Sequence, residues 1–277
     1  MINVENETVI RDVKNFDIKQ IFECGQAFRF DPAPGGGYEG VAFGRYLHVR
    51  DADGGVSINA SQAEFDAVWR DYFDLDRDYG KIIEALSHDE VMRAAASYGS
   101  GIRVLNQDTF ECLVSFIISQ SNNIPRIKGI IGRLCESFGE RITSPDGRAF
   151  YTFPTLERLS GVSAADLGVI RAGFRAKYIK DAVDKVCWGD VDLARLKKID
   201  VAAGREELKK IYGVGDKVAN CVLLFGAGKA DAFPVDTWIK KAIAKFYEGR
   251  DFDPASLGPY CGLAQQYLFY YARENKI

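Results

Sequence analysis

The sequence predicts an α+β protein, with an antiparallel β-sheet domain over residues 1–105 and an all-α domain over residues 106–277. Two observations carry that prediction. Through the first hundred residues, short segments of alternating polarity are separated by Gly- and Pro-rich turns, the pattern of half-buried strands joined as hairpins. From Asp108 onward the apolar residues recur at helical spacing and the breaks are short. There is neither an internal repeat nor a low-complexity linker.

In order along the chain, residues 27–30, 38–43 and 46–50 read as strands, punctuated by Pro34-Gly35-Gly36-Gly37 and Asp53-Gly54-Gly55. A helix follows over 62–72, and helices over 80–98 can pack with either domain. Asp108 is an N-cap candidate for Phe110-Glu111-Cys112-Leu113-Val114-Ser115-Phe116-Ile117-Ile118, which is apolar almost all round and therefore buried. Further helices are predicted over 124–138, 155–160, 163–170, 174–187, 204–212, 216–226, 237–247 and 259–273, which makes the C-terminal two-thirds a helical bundle.

A chain of 277 residues with 47% hydrophobic and 27% charged residues can bury a sizeable core and is globular in composition. No apolar run reaches membrane-spanning length, and Met1-Ile2-Asn3-Val4-Glu5-Asn6-Glu7 lacks the layout of a signal peptide, so a cytoplasmic protein is expected. The six cysteines are scattered without a CxxC pair and read as reduced thiols, mostly in the core. A net charge of −3 weighs against a phosphate-binding partner, but the charge is uneven. Acids crowd Asp66, Asp71, Asp74, Asp76 and Asp78, whereas Lys209, Lys210, Lys217, Lys240, Lys241 and Lys245 gather near residue 213. Local field governs docking more than the total does.

The stretch that points to chemistry is Leu208-Lys209-Lys210-Ile211-Tyr212-Gly213-Val214-Gly215-Asp216-Lys217-Val218-Ala219, followed by Phe233-Pro234-Val235-Asp236. Gly213 and Gly215 let the chain turn sharply between two helices and leave N–H groups uncovered at a helix N-terminus, which suits a phosphate. Lys217 opens the second helix, where the positive end of the dipole works against its protonated form and favours a nucleophilic amine. Taken singly these features have plainer readings: the turn as a grip on DNA backbone, Lys217 as a phosphate-facing surface lysine, and Asp236 as an N-cap. Together, an amine and a carboxylate nineteen residues apart at two helix starts can share one cleft. There the carboxylate can steady a cationic sugar while the amine attacks carbon.

Leu208 to Asp236 resembles the helix-hairpin-helix, Gly/Pro-rich loop and aspartate signature of base-excision DNA glycosylases. With Cys24-Gly25-Gln26-Ala27-Phe28-Arg29-Phe30, Ser121-Asn122-Asn123-Ile124-Pro125-Arg126, Gly173-Phe174-Arg175-Ala176-Lys177-Tyr178 and Gly262-Leu263-Ala264-Gln265-Gln266-Tyr267-Leu268-Phe269, the chain resembles the 8-oxoguanine DNA glycosylases in particular. The resemblance covers about residues 10–273 and implies a twisted antiparallel sheet domain, like half of the TATA-binding protein, ahead of the helical domain.

By the same resemblance, Lys217 is the nucleophile on C1′ that forms a Schiff base, Asp236 stabilises the oxocarbenium-like transition state, and Pro234 shapes the loop that holds it. Cys221 and Phe269 sandwich the flipped base, Gln265 bonds its Watson–Crick edge, and the Gly25 carbonyl accepts the N7 proton that oxidised guanine alone carries. Arg126 and Arg175 match the readers of the orphaned cytosine, Phe174 matches the aromatic wedge, and Ser121, Asn122 and Asn123 align with an asparagine run whose first member is Ser121 here. The wedge tyrosine is Phe174 and a phosphate-binding histidine is Trp238, departures that loosen the cytosine-reading and phosphate contacts. His48 and His88 match no site and read as structural.

The carbonyls of Lys209, Ile211 and Val214 can cradle a monovalent cation, and no cofactor is expected. The implied partner is double-stranded DNA containing 8-oxoguanine, met by a monomer beside the chromosome of a prokaryotic cytoplasm, with no membrane contact. Two rivals are a monofunctional glycosylase for alkylated bases, whose family lacks the hairpin lysine, and a non-catalytic helix-hairpin-helix DNA-binding module. Iron–sulfur relatives need four closely spaced C-terminal cysteines, whereas Cys261 stands alone.

Overall fold

A computed structural model describes residues 7–275. The reading of Met1–Asn6 as free of a signal peptide lies outside the described residues. Five antiparallel strands form the N-terminal sheet in the order β1-β5-β4-β3-β2: β1 Thr8–Arg11, β2 Phe30–Pro32, β3 Tyr38–Ala42, β4 Arg45–Ala52 and β5 Gly55–Ile58. Its inner face buries Leu47, Val49 and Ile58 against α1 (Ile18–Glu23) and a helical stretch made of α2 (Gln62–Glu64), a π-helical turn (Phe65–Trp69) and α3 (Arg70–Tyr72). Trp69, Tyr72 and Phe73 fill that layer with edge-on aromatic packing.

The second core belongs to the helices. Helices α4 (Tyr79–Leu86) and α5 (Glu90–Tyr98), left open by the sequence, pack into this core. At its centre runs α6 (Thr109–Ser119), capped by Asp108, whose Oδ1 accepts from the Glu111 N–H at 2.8 Å. Then come α7 (Ile124–Phe138), α8 (Leu156–Ser160), α9 (Arg175–Trp188), α10 (Val201–Lys209), α11 (Asp216–Gly226), α12 (Thr237–Phe246) and α13 (Cys261–Glu274). Helix α6 lies along α11, where a Cβ at Gly226 would sit 3.1 Å from Cys112, so glycine permits the close approach.

The helix expected over 163–170 is a short 3-10 helix over Asp166–Ile170, and the structure departs from the sequence expectations in four further places. Residues 27–29 bend instead of pairing, because Arg29 turns its guanidinium toward Glu111 at 3.4 Å and the Tyr151 carbonyl, so β2 starts at Phe30. The helix expected over 204–212 runs from Val201 to Lys209, capped at Asp200, and gives way to a turn in which the Val214 N–H reaches the Ile211 carbonyl at 3.1 Å. The bundle is not wholly helical, since strands β6 (Arg141–Thr143) and β7 (Ala149–Tyr151) form a hairpin inside it. That hairpin pins the domains together: Arg148 grips Glu39 of β3 with both terminal nitrogens, and Phe150 packs on Tyr46 with ring centroids 4.8 Å apart. Finally, β1, α1 and β5 were not anticipated.

Candidate active site

Six chain segments converge on one cavity of about 270 Å³, among them the end of α6 with Phe116 and Ser119. Helix α11 presents Lys217 and Cys221 one turn apart on the same face. The loop before α12 brings Pro234 and Asp236, α13 contributes Gln265 and Phe269, and the turn after α1 contributes Gly25. Asn122 and Asn123 line the mouth at the start of α7.

Lys217 is the second residue of α11, behind the Gly215 N-cap. Its Nζ donates to Ser119 Oγ at 3.2 Å and lies 5.1 Å from the centroid of the Phe116 ring. Among the described residues it forms no ion pair, unlike its neighbours. Lys209 meets Glu206 at 3.1 Å and Asp216 at 3.2 Å, and Lys210 meets Glu207 at 2.8 Å. The lysine cluster of the sequence is thus partly neutralised at Lys209 and Lys210; Lys217, Lys240, Lys241 and Lys245 form no ion pair among the described residues, and of these four it is Lys217 that faces the cavity.

Asp236 does cap α12, accepting the Ile239 N–H on Oδ1 at 2.8 Å, while its side chain also lines the cavity. Capping and a role in chemistry coexist, because a carboxylate has more acceptor sites than one cap occupies. The Asn220 side chain donates to the Phe233 carbonyl at 3.2 Å and so ties this loop to the lysine helix.

The cavity walls suit a flat, polar-edged ligand. Gln265 is 4% exposed and its Oε1 finds no hydrogen-bond partner among the described residues, an orphaned acceptor at the wall of the cavity. Gly25 has φ +81°, and a Cβ there would lie 3.2 Å from the Phe269 ring, so the turn needs glycine to stay clear of the cavity wall.

Burial pushes the Cys221 thiol up to about 11, with the charge of Lys217 pulling it down and Asp236 pushing it further up. It is a neutral, polarizable wall at physiological pH. Iodoacetamide at pH 8 is accordingly expected to label exposed Cys187 first and Cys221 at least about tenfold more slowly, the Cys221 rate climbing with pH toward 11. Equal labelling of the two, read by peptide mass spectrometry, would contradict this placement.

Outside the cavity, the hairpin is bolted to α9. Asp181 Oδ2 accepts the Tyr212 N–H at 2.6 Å, Lys185 Nζ donates to the Lys210 carbonyl, and Tyr178 and Tyr212 rings meet at 5.1 Å. Gly213 has φ +82°, and a Cβ there would be 2.6 Å from the Tyr178 ring. Phe174, at the head of α9, is 49% exposed and stacks edge-on to Tyr178. Arg126 lies exposed in the first turn of α7, whose N-cap is Asn123.

Arg175 is buried and held by backbone carbonyls. Only 2% exposed, its guanidinium donates to the Gln120, Ser121 and Ala172 carbonyls. Ser121 sits at φ +46°, a turn that gathers these acceptors. Burial and the neighbouring Arg126 charge both push Arg175 down. To reach a base it would have to leave these carbonyls.

The sequence singled out no role for Ser119 or Phe116, which support the lysine, nor for Gln266 and Arg273, which also line the cavity. Ser119 and Phe116 belong to a run that reads simply as buried helix, and no local signal sets them apart.

Comparison with known proteins agrees with this geometry. Residues 8–113 match the model of the 8-oxoguanine DNA glycosylase N-terminal domain, and residues 114–256 match that of HhH-GPD superfamily base excision DNA repair proteins. An N-glycosylase/DNA lyase of Arabidopsis thaliana is 31% identical over 86% of this chain and 68% of its own length. A probable N-glycosylase/DNA lyase of Methanothermobacter thermautotrophicus is 32% identical over 63% of this chain, a match spanning 64% of that relative. The crystal structure of Clostridium acetobutylicum 8-oxoguanine glycosylase/lyase, in complex with dsDNA containing cytosine opposite 8-oxoG, superposes with a TM-score of 0.93 at 43% identity, covering 100% of this chain and 99% of that one. The chain belongs to the 8-oxoguanine DNA glycosylases of the HhH-GPD base-excision superfamily.

Proposed function

We propose that this protein excises 8-oxoguanine from double-stranded DNA through a covalent lysine intermediate and then cleaves the strand by β-elimination. The observation that carries the reading is the convergence on one cavity of an amine without an ion pair (Lys217), a carboxylate (Asp236) and an orphaned amide oxygen (Gln265). The damaged nucleotide must leave the stack to enter. Cys221 and Phe269 would flank the base, Gln265 would bond its Watson–Crick edge, and the Gly25 carbonyl would accept the proton at N7.

The free amine of Lys217 attacks C1′ as the glycosidic bond breaks and the base departs with the bonding electron pair. Asp236 stabilises the positive charge that develops on the sugar. The aminal then opens as the C1′–O4′ bond breaks, O4′ taking up a proton and the nitrogen giving one up. The protonated imine so formed acidifies the proton at C2′, and its transfer to a base breaks the C3′–O bond and releases the 3′-phosphate with that electron pair. Gly213 and Gly215 offer backbone N–H groups to a phosphate, and the neutral carbonyls of Lys209, Ile211 and Val214 are donors of the kind a monovalent cation prefers. Phe174 is the wedge, with Arg126, Asn122, Asn123 and Ser121 near the opposite strand. No described helix is long and apolar enough to cross a membrane.

A duplex bearing 8-oxoguanine, incubated with the protein and borohydride, is expected to yield a covalent adduct. A monofunctional alkylated-base glycosylase or a non-catalytic module would give none. Gln265→Ala is expected to slow excision by about tenfold or more while duplex affinity changes by less than about threefold, because the bond it removes forms only with an everted base. Equal losses in the two measurements would contradict the assigned role.

A further inference from the structure

The turn that carries Gly25 is held by side chains from the far end of the sequence. Gln266 Nε2 donates to the Cys24 carbonyl at 2.7 Å, and an Arg273 terminal nitrogen donates to the Glu23 carbonyl at 2.5 Å. On the other side, Gln107 Nε2 donates to the Gln26 carbonyl at 2.7 Å, while the Gln26 amide bonds the Ile21 and Arg103 carbonyls and the Leu105 N–H. Among the described residues, the carbonyls of Glu23, Cys24 and Gln26 all have donors and that of Gly25 has none. The unclaimed acceptor is that of Gly25, which lines the cavity together with Cys24.

Gln266 is the member of this frame that acts on the peptide adjoining that acceptor. It is 3% exposed, and the carbonyl it holds belongs to the Cys24–Gly25 peptide plane. A peptide is rigid, so anchoring its oxygen limits rotation about the bonds into Gly25, the residue with the fewest steric limits of its own. Gln265 and Gln266 are consecutive on α13, so the edge-bonding amide and the turn-holding amide share one rigid helix.

We infer that Gln266 is a positioning residue that fixes the aim of the Gly25 carbonyl, and through it the discrimination between oxidised and unmodified guanine. The inference rests on the excision reading above. Its test uses Gln266→Ala and Gln266→Met, the latter keeping the side-chain size while removing the donor at any pH. Three readouts are compared with the parent: single-turnover excision of 8-oxoguanine, cleavage of a duplex bearing an abasic site, and, in a Lys217→Gln background, the ratio of affinities for 8-oxoguanine and guanine duplexes.

Both variants are expected to lose about tenfold or more in excision and in the affinity ratio, with abasic-site cleavage within about twofold of the parent. The abasic site offers no base for the Gly25 carbonyl to grip. Unchanged excision and affinity ratio in Gln266→Met would overturn the inference. So would parallel loss of excision and abasic cleavage, which marks a structural role. A parent protein that cleaves abasic sites but neither excises nor prefers 8-oxoguanine would overturn the excision reading itself and this inference with it.

Discussion

Lys217→Gln is expected to abolish borohydride trapping and to reduce excision by a factor on the order of 10⁴ or more, the scale on which removal of a covalent nucleophile acts. Glutamine is one bond shorter than lysine but keeps most of its stem and a polar end, and the Ser119 Oγ that Nζ meets at 3.2 Å is a single neutral contact, so the cavity should keep its shape. Thermal stability and affinity for duplex DNA are therefore expected to stay close to the parent values. The contrast with Lys209 and Lys210 sharpens the test. Both are exposed and paired with carboxylates, and their replacement should weaken DNA binding modestly and more so at low salt, without touching the adduct. Undiminished adduct formation in Lys217→Gln would remove the nucleophile from its assigned place.

Asp236→Asn should separate the two jobs that one side chain holds. Asparagine caps a helix about as well as aspartate, so α12 should keep the bond to the Ile239 N–H and stability should fall by less than about 1 kcal/mol. Excision should nonetheless drop by about 10²–10³, since a neutral amide cannot offset the charge developing on the sugar. Asp236→Ala would add loss of the cap, about 1 kcal/mol, to the same catalytic defect. Comparing Tm and single-turnover rates across the pair decides the matter. An Asn variant that excises at the parent rate would leave Asp236 as a cap alone.

The sequence made the local features legible and missed those that depend on distant contacts. Helices α7 and α11 could be bounded to the residue, because their caps and apolar spacing lie within a few positions of each other. The hairpin glycines and Asp236 were visible for the same reason. Ser119 and Phe116 were not, because they reach Lys217 from α6, Ser119 across 98 residues, and the Gln266 to Cys24 bond spans 242 residues. Arg175 shows the converse. Its motif is local, but the Gln120 and Ser121 carbonyls that draw its guanidinium inward belong to a turn 55 and 54 residues earlier. The three-residue strands β6 and β7 fall below the length at which alternation can be recognised.

The stapling of α9 to the hairpin has a mechanical reading. With Asp181 and Lys185 fixed to the hairpin backbone and Tyr178 seated on Gly213, the aromatic tip at Phe174 has little freedom to advance or retreat by itself. In the proposed mode of action, the strand grip and the probe therefore travel as a single caliper. Each placement on the duplex interrogates one step at a set offset from the held phosphate, and scanning proceeds by moving the whole jaw along the strand, with no separate stroke for the tip.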